Sequence, residues 1–157
     1  IAEKFTNKKE LTTSLYFYDL NSNNIYCAVD DGEYSIDYAE FVGNNIVFCG
    51  TLMDKYGLNQ NYNFYKIDDG DIKLLSKHDF GMHSSVGTDC KYGGRKDVRV
   101  HNNELYFVGT ENKSSFIKKL SLDGTITTLT RNNGTIDCFD VGNDEILFIG
   151  QRGQKLQ

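Results

Sequence analysis

Three segments of this chain repeat one short pattern. Asn44-Asn45-Ile46-Val47-Phe48-Cys49-Gly50-Thr51 returns as Asn102-Asn103-Glu104-Leu105-Tyr106-Phe107-Val108-Gly109-Thr110, and again as Asn143-Asp144-Glu145-Ile146-Leu147-Phe148-Ile149-Gly150-Gln151. Self-similarity at this spacing marks an array of small stacked units rather than one irregular core. The apolar stretches are short, rich in β-branched and aromatic residues, and bounded by Asn, Asp and Gly, so the units are built from strands and no helix is expected.

Each recurring glycine is followed by a second strand pair. Phe64-Tyr65-Lys66-Ile67 turns through Asp68-Asp69-Gly70-Asp71 into Ile72-Lys73-Leu74-Leu75, and residues 116–122 turn through Asp123-Gly124 into residues 125–130. Asp-Gly between two strand patterns is a strong hairpin signal, because glycine accepts the positive φ of a tight turn. Residues 15–20 and 25–29 form a similar pair with no first half before it. Four strands per unit, A to D, then read as a half blade at about 14–29, whole blades at 37–76 and 97–130, and a half blade at 136–157. The expected fold is all-β: a partial β-propeller of about three blades of four-stranded antiparallel sheet. With blades of about 40 to 50 residues, 157 residues hold three to four at most.

The B strands carry the packing information. Ile46-Val47-Phe48-Cys49, Leu105-Tyr106-Phe107-Val108 and Ile146-Leu147-Phe148-Ile149 are apolar at every position, so both faces of each strand are expected to be covered, as in neighbouring stacked sheets. The glycine ending each run permits a bulge or close backbone approach. The absence of proline agrees with many paired strands.

Composition excludes several partners. Seventeen basic against 22 acidic residues, a net charge of −5, and no basic run argue against nucleic acid. No stretch approaches the roughly 18 apolar residues that span a bilayer, so no membrane contact is expected. Residues 1–10 lack the apolar core of a signal peptide, and the start at Ile is compatible with an excised piece of a longer protein. Cys27, Cys49, Cys90 and Cys138 show no CxxC spacing, and three of them sit in or beside strand patterns. This favours buried free thiols over disulfides or metal ligands, and a cytoplasmic location.

Two long irregular stretches, residues 52–63 and 78–96, interrupt the array, and in an up-and-down blade both leave from the same end. Long ordered loops usually carry function, so that face is the expected contact surface. The second stretch holds His78, His83 and Cys90, but these lack the paired spacing of a zinc site. Ser85 has Gly87 after it but His83 before it, so it is no nucleophile elbow. Gly93-Gly94 precedes no helix that would bind phosphate. No catalytic residue, cofactor or metal is expected.

The recurring Asn-Asn/Asp-x-Ile/Leu-x-Phe-x-Gly strand, the hairpin ending at Leu129-Thr130, and Ser84-Ser85-Val86-Gly87-Thr88-Asp89-Cys90 before a strand together resemble the β-propeller domain of prolyl oligopeptidase-type serine peptidases, in particular the bacterial acylaminoacyl peptidase-like branch. The resemblance implies a parent hydrolase whose α/β-hydrolase domain carries Ser, Asp and His, capped by a propeller that admits only short peptides. None of those catalytic residues lies in this chain. The resemblance makes the hydrolase domain of the same parent chain and short peptides the expected partners. His83, Asp89 and Arg95 become the candidate interdomain or substrate-access contacts. Open blade edges are expected to make the fragment self-associate. The alternative is a fragment of a non-enzymatic propeller used for protein binding or sensing; the absence of tryptophan leaves sugar binding without support.

Overall fold

A computed structural model describes residues 11–30, 32–84, 86, 97–131 and 134–152, and the backbone of 155–156. The described residues contain strands and one short 3₁₀ turn, Gly57–Asn59. They include no helix long and apolar enough to cross a membrane. The chain divides into two compact units, Ile1–His78 and Asp79–Gln157.

In the first unit, β1 (Leu15–Asp19) and β2 (Asn24–Val29) form a hairpin. Beside it lies an antiparallel sheet, β3 (Ser35–Val42), β4 (Asn45–Thr51), β5 (Asn63–Asp68) and β6 (Asp71–Ser76), in sequential order. Leu15 and Val29 from the hairpin pack on Tyr34, Ile36, Phe48 and Tyr65. Phe48 and Tyr65 stack at 5.0 Å, and Tyr34 meets both edge-on. Offset-stacked and edge-to-face pairs of this kind add about 0.5–1.5 kcal/mol beyond the area they bury. Thr13 closes the joint: its N–H donates to Tyr34 O and its Oγ1 accepts from Ile36 N–H, both at 2.8 Å. In the connection between β4 and β5, Gln60 Oε1 accepts from the Lys55 and Tyr56 N–H groups.

The second unit opens with two strands, β7 (Gly81–Met82) and β8 (Val98–His101), which both pair with β9 (Glu104–Glu111). The sheet continues through β10 (Ser114–Leu120) to β11 (Ile126–Thr128). Against it stand β12 (Thr135–Gly142), β13 (Glu145–Arg152) and β14 (Lys155–Leu156). Val108 and Ile117 of one sheet pack on Ile136 and Phe139 of the other. The β8–β9 and β12–β13 turns place Asn102-Asn103 and Asn143-Asp144 at φ +50/+59 and +50/+61. Positive φ at both central residues is the requirement of the tight hairpin turn, and Asn and Asp meet it with least strain after glycine.

One irregularity recurs in the sheets. Pairing of β3 with β4 steps from Ile36↔Gly50 to Tyr38↔Cys49, so Asp37 is the extra residue of a β-bulge. Pairing of β12 with β13 steps from Ile136↔Gly150 to Cys138↔Ile149 around Asp137. In the middle sheet Met82 pairs with Gly109 and Val98 with Phe107. Between them His83 N–H donates to Val108 O, and Val108 N–H donates to Asp97 O, each at 2.8 Å. The connection from His83 to Asp97 therefore falls where the other two sheets hold a single bulge residue. The bulge also explains the recurring glycine: a Cβ at Gly50 would lie 3.1 Å from Ser35 O, and one at Gly150 2.5 Å from Thr135 O.

Burial departs from the sequence expectation in one strand. β4 and β9 are covered on both faces around Val47, Cys49, Phe107 and Val108, but β13 leaves Leu147 and Ile149 exposed. Cys27 is exposed as well, whereas Cys49 is buried, and both are free thiols.

Candidate functional site

The stem of the 83–96 excursion is the most chemically organised surface of the described residues. The chain leaves β7 at His83, which takes φ +65, and rejoins β8 through Asp97. A non-glycine residue in the left-handed region costs of order 1–3 kcal/mol and persists only where its surroundings fix it. Three contacts do so here. His83 N–H donates to Val108 O, Thr110 Oγ1 donates to His83 O at 2.8 Å, and His83 Nδ1 lies 2.6 Å from Asp97 Oδ2. The imidazole is part-exposed while the Asp97 side chain is largely covered, so the pair joins the two ends of the excursion and turns the ring outward.

Ser84 continues the stem. Its Oγ donates to Ser115 Oγ at 3.3 Å, and Ser115 Oγ accepts Ile136 N–H at 2.6 Å and donates to Ile136 O at 3.4 Å. Ser115 is fully buried, and one donor with two acceptor sites is all a hydroxyl has, so it is saturated where the two sheets of this unit meet. The Ser84 hydroxyl turns to Ser115.

Beneath the stem lies a buried cation. Lys118 is 2 % exposed, and its Nζ donates to Glu111 Oε1 at 2.6 Å and to Thr128 Oγ1 at 2.8 Å, over the Phe80 ring at 4.4 Å. Gly109 provides the room: a Cβ there would stand 3.1 Å from Lys118 Cδ and 3.2 Å from the Phe80 ring. Lys118 thus anchors the segment that enters β7. The first strands of the sheets carry a second charged feature, with Glu40, Arg99 and Asp140 at one register position. Arg99 Nε bonds Asp140 Oδ1 at 3.1 Å, and Nη1 donates to Val98 O at 2.6 Å. On β9, hydrogen bonding to Lys119 holds the Glu104 carboxyl below its ordinary range.

Of the candidates read from the sequence, His83 sits at the stem; Asp89 and Arg95 lie outside the described residues. Sequence reasoning missed Asp97 and Lys118. The place of Asp97 shows only in the pairing: strand A has eight residues in two sheets but four at Val98–His101, and β7 supplies the other part of it from before the excursion. The described residues hold no group of three or more His, Cys, Asp or Glu side chains suited to a metal ion. What the stem offers is a rigidly based hydrogen-bonding surface suited to docking or orienting a polar group.

No family model matches the chain, and no curated protein matches it. Solved structures do. The β-propeller domain of the Trilobed protease from Pyrococcus furiosus, described as having an open velcro topology, superposes with a TM-score of 0.70 at 16% identity, covering 99% of this chain and 45% of that one. The acylaminoacyl peptidase of Pyrococcus horikoshii superposes with a TM-score of 0.61 at 18% identity, covering 88% of this chain and 19% of that one. The fold is therefore a partial β-propeller, and the chain spans less than half the length of either neighbour. One neighbour is the propeller domain of a protease and the other an acylaminoacyl peptidase, the kind of protein the sequence resembles.

Proposed function

We propose that this chain is the non-catalytic propeller portion of a serine peptidase of the prolyl oligopeptidase type, one that controls which peptides reach an α/β-hydrolase domain of the same parent chain. The observation that carries the reading is the superposition on a protease propeller domain over nearly the whole chain, joined to an excursion fixed at its base by His83 and Asp97. A rigid stem under residues 83–96 suits a segment that must hold one position against a hydrolase domain or at the mouth of the substrate path. The parent acts on short peptides in the cytoplasm, and His83, Asp89 and Arg95 make interdomain or peptide-terminus contacts.

The test begins with the parent. Its sequence beyond Gln157 should encode a Gly-x-Ser-x-Gly nucleophile followed by Asp and His; further repeats and a stop would instead favour the non-enzymatic binding propeller. In the full parent enzyme, Ala at His83, Asp89 or Arg95 should change kcat/KM for short peptides. Asp97→Asn should follow His83→Ala, because it removes the charge that orients the ring. Unchanged kinetics with unchanged stability in all four would reject the assignment of the stem.

A further inference from the structure

We infer that the connection between β4 and β5 is a carboxylate-reading loop: the Lys55 ammonium, held over the Tyr56 ring, takes the C-terminal carboxylate of a short peptide, and the exposed ring takes the side chain beside it. That the ligand is a peptide rests on the peptidase reading; that a carboxylate binds at this loop does not.

The fold does not need this loop. β4 and β9 are counterpart strands, each carrying the recurring glycine and each pairing with the strand that follows it. β9 reaches β10 through Asn112-Lys113 alone, with Glu111 opposite Ser114 and Asn112 at φ +53. β4 reaches β5 only after residues 52–62. An ordered connection far longer than chain reversal requires is where function collects. Its order is built in. Gln60 Oε1 accepts the Lys55 and Tyr56 N–H groups at 3.0 and 3.1 Å, and Gln60 Nε2 donates to Asp54 Oδ1 at 2.9 Å. Gln60 N–H closes the Gly57–Asn59 turn on Gly57 O, and at the root of the loop Met53 N–H donates to Thr51 Oγ1, both at 3.1 Å. The backbone carrying Lys55 and Tyr56 is thus fixed before any ligand arrives, and little ordering entropy is left to oppose binding.

Chemistry at the tip selects the ligand. Lys55 Nζ lies 4.9 Å from the centroid of the Tyr56 ring, and Tyr56 stays 63% exposed. Among the described residues Lys55 makes no ion pair, whereas Lys66, Lys73, Lys118, Lys119 and Arg99 each face a carboxylate. The neighbouring carboxylate, Asp54, is turned to Gln60 instead. The ring does not cancel the charge: a surface cation–π contact is worth about 0.5–1 kcal/mol and leaves the ammonium N–H groups to find acceptors. A placed cation beside an open aromatic surface is matched by an anion attached to an apolar or aromatic group, and the last residue of a peptide is such a ligand. Acidic residues outnumber basic ones in the first unit, so it repels an extended acidic surface far more than a single carboxylate on a small ligand.

Amide chemical shifts of the 157-residue chain should be followed during titration with an N-acetylated tetrapeptide ending in Phe, once as the free acid and once as the C-terminal amide. The acid should shift residues 54–60 at millimolar concentration or below, and the amide should bind about fivefold more weakly. Lys55→Met, at an exposed position, should keep the fold and erase the difference between acid and amide. Tyr56→Ala should remove the preference for Phe over Ala as the last residue. Gln60→Ala, which alters no ligand contact, should weaken the acid several-fold by loosening the loop. None of these readings depends on a Gly-x-Ser-x-Gly nucleophile in the parent: a failed titration leaves the peptidase reading standing, and a missing nucleophile leaves the carboxylate site standing. Equal affinity for acid and amide, a difference between them that survives Lys55→Met, no binding at millimolar peptide, or shifts confined to residues outside the loop would each overturn the proposal.

Discussion

Lys118 offers a direct test of what holds the middle sheet together. Truncation to Ala removes three buried methylenes, worth about 0.8 kcal/mol each, and Gly109 has no side chain to fill the space beneath Phe80. It also removes the donor to Thr128 Oγ1, at little cost, because Thr128 is exposed and water replaces the bond. We therefore expect Lys118→Ala to lose about 2–4 kcal/mol. Lys118→Met keeps the stem and its contact with Phe80 and discards the desolvated charge, so it should stay within about 1.5 kcal/mol of the parent. Glu111→Gln should cost only about 1 kcal/mol, because the Glu111 side chain is 42% exposed and water takes up much of the loss. Urea unfolding followed by tyrosine fluorescence reads all three, since tryptophan is absent. If Lys118→Met falls as far as Lys118→Ala, the ion pair rather than the stem carries the stability, and the packing argument fails.

Three further outcomes are expected. Gly150→Ala should destabilise by about 1–3 kcal/mol and by more than Gly50→Ala, since the new Cβ meets a backbone carbonyl at 2.5 Å rather than 3.1 Å; equal thermal shifts would contradict the bulge explanation. The lowered Glu104 carboxyl contributes stability that is present above its unfolded value near 4.5 and lost as pH falls through the lower folded value. Lys119→Met should flatten that acid limb in pH-dependent melts, and an unaltered slope would assign it elsewhere. Native maleimide labelling followed by peptide mapping should mark exposed Cys27 well before Cys49, whose thiol burial pushes upward; equal rates would refute the burial.

The sequence disclosed the all-β fold and its propeller character because the information is local and repeated: turn residues at Asn102-Asn103 and Asn143-Asp144, an apolar run, then a glycine. It concealed β7, since a two-residue strand has no periodicity and Gly81-Met82 sits among loop-like neighbours. Asp97 was hidden for the same reason, its role being visible only once β7 and β8 share β9. The uniform apolarity of β13 pointed to two covered faces, yet Leu147 and Ile149 are bare, because apolar composition says that a surface is to be covered and not by what. Lys118 reads as an ordinary outward strand lysine until the absent side chain of Gly109 is placed beside it.

The bulge has a consequence for how such a sheet can be altered. Pairing on either side of Val108 keeps step whether one residue or a whole excursion lies between the flanking positions, so the ladder is indifferent to what is spliced there. Asp37 and Asp137 mark two more sites of the same tolerance. A recognition peptide grafted at either should leave the host sheet intact, and replacing residues 84–96 by a short link should restore a plain bulge.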